Sequence, residues 1–545
     1  MDFLIRNGCI VNGKNETPYM ADIAVANGGI QKIAPAIPVP EDLPQDRVLD
    51  AAGAYVTPGF IDIHRHGDWE ALRAGDDQLL NRQGITTVVN GNCGLSVAPA
   101  GDIYYEEIQN FLSSVTGAEP KLPKAEMRSG RCLEGRTARS MGEYMNRLAD
   151  VRRSVNTGML VGNGTLRAGV KGYAAGTVSS EEIRQIQRNL EEALEAGALG
   201  VSLGIAYAPE FSYHAEELVR VLEPVRGKGI PLVTHVRSEG DGLLNSLREV
   251  ICVAEALEAP LHVSHMKCIG KRNWNKTVHQ VLKLFEQARE RGVQIDFDVY
   301  PYLTGSTQLV HVLPPAFQEG GTEQILRRLS DRTCREELEQ LLKEPSEEFE
   351  NIVELAGYEN IFASTLHSPE YLPYAGQSIL EIAKIRGMDP CDTLCDILIR
   401  EKCQVTMLDT IASEQDMLTF LKDPHANLIS DAIYPAGGKY HPRVYGAFPR
   451  FLIEYVKKKP VFSIEEAIWK MTAGPANVLG LKTGVLEEGR PADINVFRLE
   501  ELMAPADFRE PQRLCSGFAC VLVNGEPAVR KDSWNNTGTG KVCRK

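Results

Sequence analysis

Short apolar runs alternate with amphipathic stretches through the middle of the chain. The runs are Gly59–His64, Ile85–Val89, Gly158–Val161, Leu199–Leu203, Ile230–Thr234, Leu261–Ser264, Val293–Tyr300 and Asn427–Asp431. Each is of strand length and near-continuously apolar, the pattern of strands buried on both faces of a parallel sheet. Between them the period changes to that of a helix. Ile183, Ile186, Leu190, Ala193 and Leu194 follow Ser179-Ser180-Glu181-Glu182, a capping signal, and Gly197 closes the run. Leu218, Val219 and Leu222 mark a second helix; Leu244, Leu247, Val250 and Ile251 a third; Val278, Val281, Leu282 and Phe285 a fourth. Eight strands alternating with helices predict an α/β fold, a (β/α)8 TIM barrel spanning 57–479.

The two ends follow another rule. Residues 1–56 have no helix-length periodic run. Phe3-Leu4-Ile5 and Cys9-Ile10-Val11 flank Asn7-Gly8, and Asp22–Val25 and Ile30–Ile33 flank Asn27-Gly28-Gly29, two hairpin signals. Gly484–Phe497 reads as turn then strand, and Val521–Gly525 as strand then turn. Residues 1–56 with 480–545 are therefore expected to form one small β-sandwich domain. The span between the seventh and eighth strands, roughly 301–426, is far longer than a βα connection. An inserted lid or substrate-specificity segment is expected inside it, roughly over 305–360, and residues 117–150 form a smaller insertion.

Composition narrows the class without naming it. The 545 residues are 43% hydrophobic and 24% charged, an ordinary globular balance. The net charge of −14 argues against binding nucleic acid or an acidic membrane through bulk charge. The 12 cysteines are scattered with no C-x-x-C, which is not a disulfide framework. Met1–Gly8 lacks a basic start and an apolar core, so no signal peptide is expected, and no run of 18 apolar residues suggests a membrane span. The expectation is a cytoplasmic enzyme acting on a small molecule, its oligomeric state left open by the sequence.

Chemistry appears where barrel catalysis is placed, at the C-terminal ends of the strands. His64 and His66 end the first strand, and their spacing of two puts both on one face. Cys93 follows the second strand, His235 ends the fifth, His265 the sixth and Asp431 the eighth. A thiol, four imidazoles and a carboxylate on one rim are a zinc-type donor set. His262 faces away from His265 and reads as a packing or supporting residue. His214, His279, His311, His367 and His425 lie away from strand ends and are assigned to the surface or lid. Cys391 and Cys395, one helical turn apart, read as buried packing residues.

The quoted residues resemble the amidohydrolase superfamily. Pro58–His66, Gly84-Ile85-Thr86-Thr87-Val88 with Gly91-Asn92-Cys93-Gly94, and Ser430-Asp431 carry that likeness. Val263–Lys267, Tyr300-Pro301-Tyr302 with Gly305-Ser306-Thr307, and His441-Pro442-Arg443 with Gly446 are most similar to the N-acyl-D-amino-acid deacylases, and the likeness runs nearly the whole chain. Lys482-Thr483-Gly484 through Asp493 resembles the start of the returning β-domain strands. The resemblance implies zinc-dependent hydrolysis of the amide of an N-acyl-D-amino acid. It implies His64 and His66 on one metal and Cys93, His235 and His265 on a tighter one, with occupancy of the weaker site open. Asp431 resembles the general base and a metal ligand. Lys267, Tyr300, Ser306 and Arg443 resemble the residues that grip the substrate carboxylate, and Tyr207 is a candidate to polarise the carbonyl. Many relatives carry a bridging lysine after strand four; here the run is Gly204-Ile205-Ala206-Tyr207, and Cys93 takes its place. Two departures leave the side-chain preference open: Gly162-Asn163-Gly164 where the family commonly shows Gly-His-Gly, and the loop Ala432–Tyr440. Lys439 and Arg167 are the candidate cations for an acidic substrate side chain. A cyclic-amide hydrolase of the dihydroorotase or hydantoinase kind is the alternative, weakened by the missing lysine. A non-catalytic scaffold on the same fold is disfavoured because all six ligands are present.

Overall fold

Eight parallel strands form a closed ring in the computed structural model, which describes residues 1–545 apart from 74–76, 122–123, 131–134, 175 and 436. Parts of the 117–150 insertion and Ala436 of the loop after Asp431 thus lie outside the described residues. The strands are β1 Phe60–Asp62, β2 Ile85–Asn90, β3 in two pieces at Asn156–Met159 and Val161–Gly162, and β4 Val201–Gly204. They continue with β5 Leu232–His235, β6 Leu261–Val263, β7 Ile295–Val299 and β8 Ala426–Leu428. Pairing runs β1-β2-β3 and β3-β4-β5-β6-β7-β8. The seam between β8 and β1 closes just beyond the strand ends, where Asp431 N donates to His64 O at 3.0 Å and His66 N to Ala432 O at 2.8 Å. Buried Asp62 ties the same seam by accepting from Ser430 N at 3.0 Å and Ser430 Oγ at 2.5 Å. Closure therefore threads Asp431 between the two histidines of the first strand.

The helices form for the reasons legible in their sequence. Ser180–Glu195 carries the capping box of Ser179 and Glu182 and buries Ile183, Ile186, Leu190 and Ala193 against the barrel. The chain ends supply a nine-stranded sheet that joins Phe3–Ile10, Tyr19–Ala26, Gly29–Ala34, Val48–Asp50 and Tyr55–Pro58 to four strands from Ile494 to Trp534. Asn27-Gly28 does reverse the chain between Tyr19–Ala26 and Gly29–Ala34. Asn7-Gly8 does not. Phe3–Ile10 is one strand, and Asn7, at φ +53°, makes a bulge between Ile5 and Gly8. The same left-handed residue that opens a turn serves a bulge when both flanks pair with one partner strand.

Between β7 and β8 the chain builds a separate layer. Thr304–Gln308, Thr406–Thr410 and Ile361–Ala363 form an antiparallel sheet. Leu309, Phe317, Leu329, Leu338, Leu394 and Leu398 belong to a buried cluster distinct from the barrel core. Cys391 and Cys395 are buried in the helix Pro390–Arg400 of this layer. Among the described residues no helix is long and apolar enough to cross a membrane.

Candidate metal centre and active site

The ends of β1, β2, β5, β6 and β8 bring the six expected donors together. Cys93 Sγ lies 3.3 Å from His64 Nε2 and 3.5 Å from His265 Nε2. Asp431 Oδ1 lies 3.5 Å from His64 Nε2 and 3.6 Å from His66 Nε2. His235 Nδ1 is 2.8 Å from His265 Nε2. A tetrahedral zinc with Zn–N and Zn–S bonds of about 2.05 and 2.3 Å needs donor separations of about 3.4 Å between nitrogens and 3.6 Å between nitrogen and sulfur. The two Cys93 separations come close to that spacing, and His64 is shared with a second group of His66 and Asp431. All six side chains are buried. His66 Nδ1 is buried without a hydrogen-bond partner among the described residues. The donor set fits zinc.

Backbone strain marks the same place. Cys93, His265 and Asp431 have φ of +53°, +34° and +52°. Left-handed non-glycine residues cost about 1–3 kcal/mol each and persist where surrounding structure holds them. Asn92 Nδ2 holds the first of these loops by donating to Ile63 O at 3.2 Å and Arg65 O at 3.3 Å. Asp68 accepts from Gly91 N at 3.2 Å and Val97 N at 3.0 Å on the same loop.

Two carboxylates missed by the strand-end search set the imidazoles. Asp298 Oδ2 accepts from His64 Nδ1 at 3.3 Å and His262 Nε2 at 2.8 Å, and its other oxygen accepts from His265 N. With its Nδ1 proton given to Asp298, His64 presents a bare Nε2 to the site. Burial would push Asp298 up, but His64 and His262 hold it well below the usual carboxylate range. His262 thus supports the site through Asp298. Glu239 does the same for His265 Nδ1 at 3.0 Å. Burial opposes its charge, yet Lys267 and His265 bring it down to about 2. Both acids had a signal in the chain: Asp298 is an acid inside an apolar strand, and Glu239 lies four residues after His235.

Around Cys93, burial alone would raise the thiol; the imidazoles of His64, His235 and His265 hold it far below the ordinary cysteine range, as a thiolate. Burial likewise opposes charge on Asp431, and Arg443, then His66 and His64, keep it ionised.

The expected carboxylate-gripping residues surround this centre. Arg443 Nη1 lies 2.9 Å from Asp431 Oδ2, its Nη2 donates to Ser306 O at 3.1 Å, and its guanidinium stands 4.8 Å from the Tyr300 ring centre. Lys267 Nζ is 2.6 Å from Glu239 Oε1 and 5.6 Å from the same ring centre. Tyr207 OH is 3.3 Å from His235 Nδ1. Tyr207, His235, His265, Lys267, Tyr300, Ser306 and Asp431 line one cavity. His311, expected at the surface or lid, is in the inserted layer and buried in that wall with its ring 4.2 Å from Tyr207, its Nε2 2.9 Å from the acceptor Gln308 Oε1. Burial pulls it down to about 3, so it stays neutral. Asn163 donates to Glu210 Oε1 at 2.6 Å. Arg167 is buried and donates to Gly176 O at 2.8 Å, and Lys439 is exposed; neither lines the cavity.

A barrel with buried imidazole, thiolate and carboxylate donors at its C-terminal mouth is the architecture of a metal-dependent hydrolase. The sequence profile of the amidohydrolase family matches residues 47–325 and 417–529, and the chain belongs to that family. It is 29% identical over 542 residues to a D-aminoacylase of Alcaligenes xylosoxydans xylosoxydans, covering 99% of this chain and 97% of that one. It is 30% identical to an N-acyl-D-glutamate deacylase of the same organism, covering 96% and 93%. The N-acyl-D-glutamate deacylase of Bordetella bronchiseptica, solved with zinc and a phosphonate mimic of the tetrahedral intermediate, superposes with a TM-score of 0.80 at 28% identity over the full length of both chains. The unmatched stretch of the family profile, 326–416, falls in the layer between β7 and β8.

Proposed function

We propose that this chain hydrolyses the amide bond of N-acyl-D-amino acids, releasing a carboxylate and a free D-amino acid, with zinc held by His64, His66, Cys93, His235, His265 and Asp431. The observation that carries this reading is the pair of donor groups sharing His64, with Arg443 and Lys267 directly behind them. Deacylase relatives matched along almost the whole chain support it.

Bound zinc supplies Lewis acidity and brings the pKa of water down towards about 7. Asp431, ionised and at the mouth, takes the proton of the attacking water and hands it to the departing amine nitrogen. Arg443 and Lys267, with Ser306 and the Tyr300 hydroxyl, take the substrate carboxylate; Arg443 offers a planar fork and Lys267 a point charge. Tyr207, beside His235, is placed to donate to the acyl oxygen. The layer over 304–410, which brings Ser306 and His311 to the cavity, serves as a lid that sets the substrate side chain. The terminal sheet, expected as a sandwich, serves as a single-sheet accessory domain apolar on both faces, with Phe3 and Ile5 in one cluster and Leu4 in another.

The test is a substrate panel on zinc-loaded protein: N-acetyl-D-amino acids, their L counterparts, dihydroorotate and hydantoins, read as ring opening or free amine. Amine released from the D series alone is the expected result. Inactivity on every D substrate, or preference for a cyclic amide, would overturn the reading.

A further inference from the structure

The cavity lined by His235, His265 and Asp431 is also lined by two carboxylates that the chemistry above leaves unused. Glu350 and Asp409 both line it, and both come from the layer between β7 and β8, inside the stretch that the family profile does not match. Asp409 is 3% exposed. Its Oδ1 has no hydrogen-bond partner, nor has the buried Oε1 of Glu350. Asp409 faces Gly305 across the antiparallel pair, and a methyl group at 305 would stand 2.4 Å from Asp409 Oδ1. The glycine keeps the space the carboxylate occupies.

The charges near them are already matched. Lys267 is paired with Glu239 at 2.6 Å and Arg443 with Asp431 at 2.9 Å. Among the described residues neither Glu350 nor Asp409 enters an ion pair. When the substrate carboxylate engages Arg443 and Lys267, it adds another negative charge to the same cavity. Burial raises both acids, so without a counter-ion they hold protons more tightly, and a cation arriving between them would let them ionise. Ile269 and Ile411 line the same cavity. An aliphatic stem ending in a charged head fits that succession of apolar side chain and carboxylate.

Resting on the deacylase reading, we propose that Glu350 and Asp409 select substrates whose D-amino-acid side chain ends in an ammonium or guanidinium group, the lysine, ornithine and arginine class. Neither Arg167 nor Lys439, the two candidate cations for an acidic side chain, lines the cavity.

The experiment measures kcat/KM of the zinc-loaded full chain for N-acetyl-D-arginine, -D-lysine, -D-methionine and -D-glutamate, then repeats it in Asp409→Asn and Glu350→Gln. The basic substrates should exceed D-methionine by about tenfold or more and D-glutamate by about a hundredfold. Each variant should shrink the arginine-to-methionine ratio by roughly tenfold, mostly through KM. Two variants guard against one that fails to fold, with circular dichroism as the check. Preference for D-methionine or D-glutamate would overturn the selectivity while leaving the deacylase reading standing, and so would a ratio unmoved in both folded variants. No turnover of any of the four would overturn the deacylase reading and this inference with it.

Discussion

The two walls of the active-site cavity are built on opposite principles. On the barrel wall every buried charge has a partner: His64 and His262 share Asp298, His265 and Lys267 share Glu239, and Asp431 meets Arg443. Such a network fixes ring orientation to within the tolerance metal binding demands. On the wall from the inserted layer, Asp409 and Glu350 keep buried oxygens without partners. A matched wall serves chemistry common to many substrates. An unmatched one has acids left over for the part of the substrate that varies.

The sharpest break of this comparison lies at Asp431. Asp431→Asn should lower kcat by roughly 10²–10⁴-fold while leaving the far-ultraviolet circular dichroism of the folded chain intact. Turnover close to the parent in zinc-loaded protein would take Asp431 out of the proton transfers. Asp298→Asn comes next. It removes the acceptor that fixes His64, and zinc affinity measured by competition with a chelator should weaken about 10–100-fold. Unchanged affinity would mean that the barrel wall is not organised through its supporting acids.

How far these contrasts were visible in the chain follows the same division. The strand ends were legible because a barrel strand is a continuous apolar run, so a polar residue ending it has one place to go: the mouth. His64, His66, His235, His265 and Asp431 were found that way, and Cys93 by its place after the second strand. Glu239, four residues beyond the end of β5, and Asp298, inside β7, escaped because the search stopped at the ends themselves. Asp409 and Glu350 were not legible at all. Their position depends on how the inserted layer packs over the mouth, and no periodicity in 304–410 encodes that docking. His311, expected at the surface or lid, does lie in that layer, but its place in the cavity wall was not legible either. Asn7-Gly8 failed differently, since one left-handed residue serves both a turn and a bulge and the pairing of distant strands decides between them.

A smaller effect sharpens the contrast from the other wall. Gly305→Ala crowds Asp409 without touching a metal donor, so the ratio of kcat/KM between basic and neutral substrates should fall severalfold while zinc content stays at the parent value. Loss of zinc in that variant would show the two walls to be coupled. Smallest is a pH effect beneath the site. Burial, only partly offset by Asn163 and the Gly204 amide, raises Glu210 to about 7. The folded chain therefore holds this proton between about pH 4.5 and 7 while the unfolded chain releases it, and the stabilisation present below that window is lost as pH rises through it. Glu210→Gln should flatten that part of the dependence of Tm on pH; an unchanged profile would show that Glu210 stays ionised.

The most direct test of the whole account is X-ray absorption at the zinc edge of the loaded protein. One sulfur scatterer at about 2.3 Å with nitrogen and oxygen neighbours at about 2.0–2.2 Å is the expected first shell. Cys93→Ser should abolish the sulfur contribution. A shell of oxygen and nitrogen alone, identical in the parent and in Cys93→Ser, would contradict it.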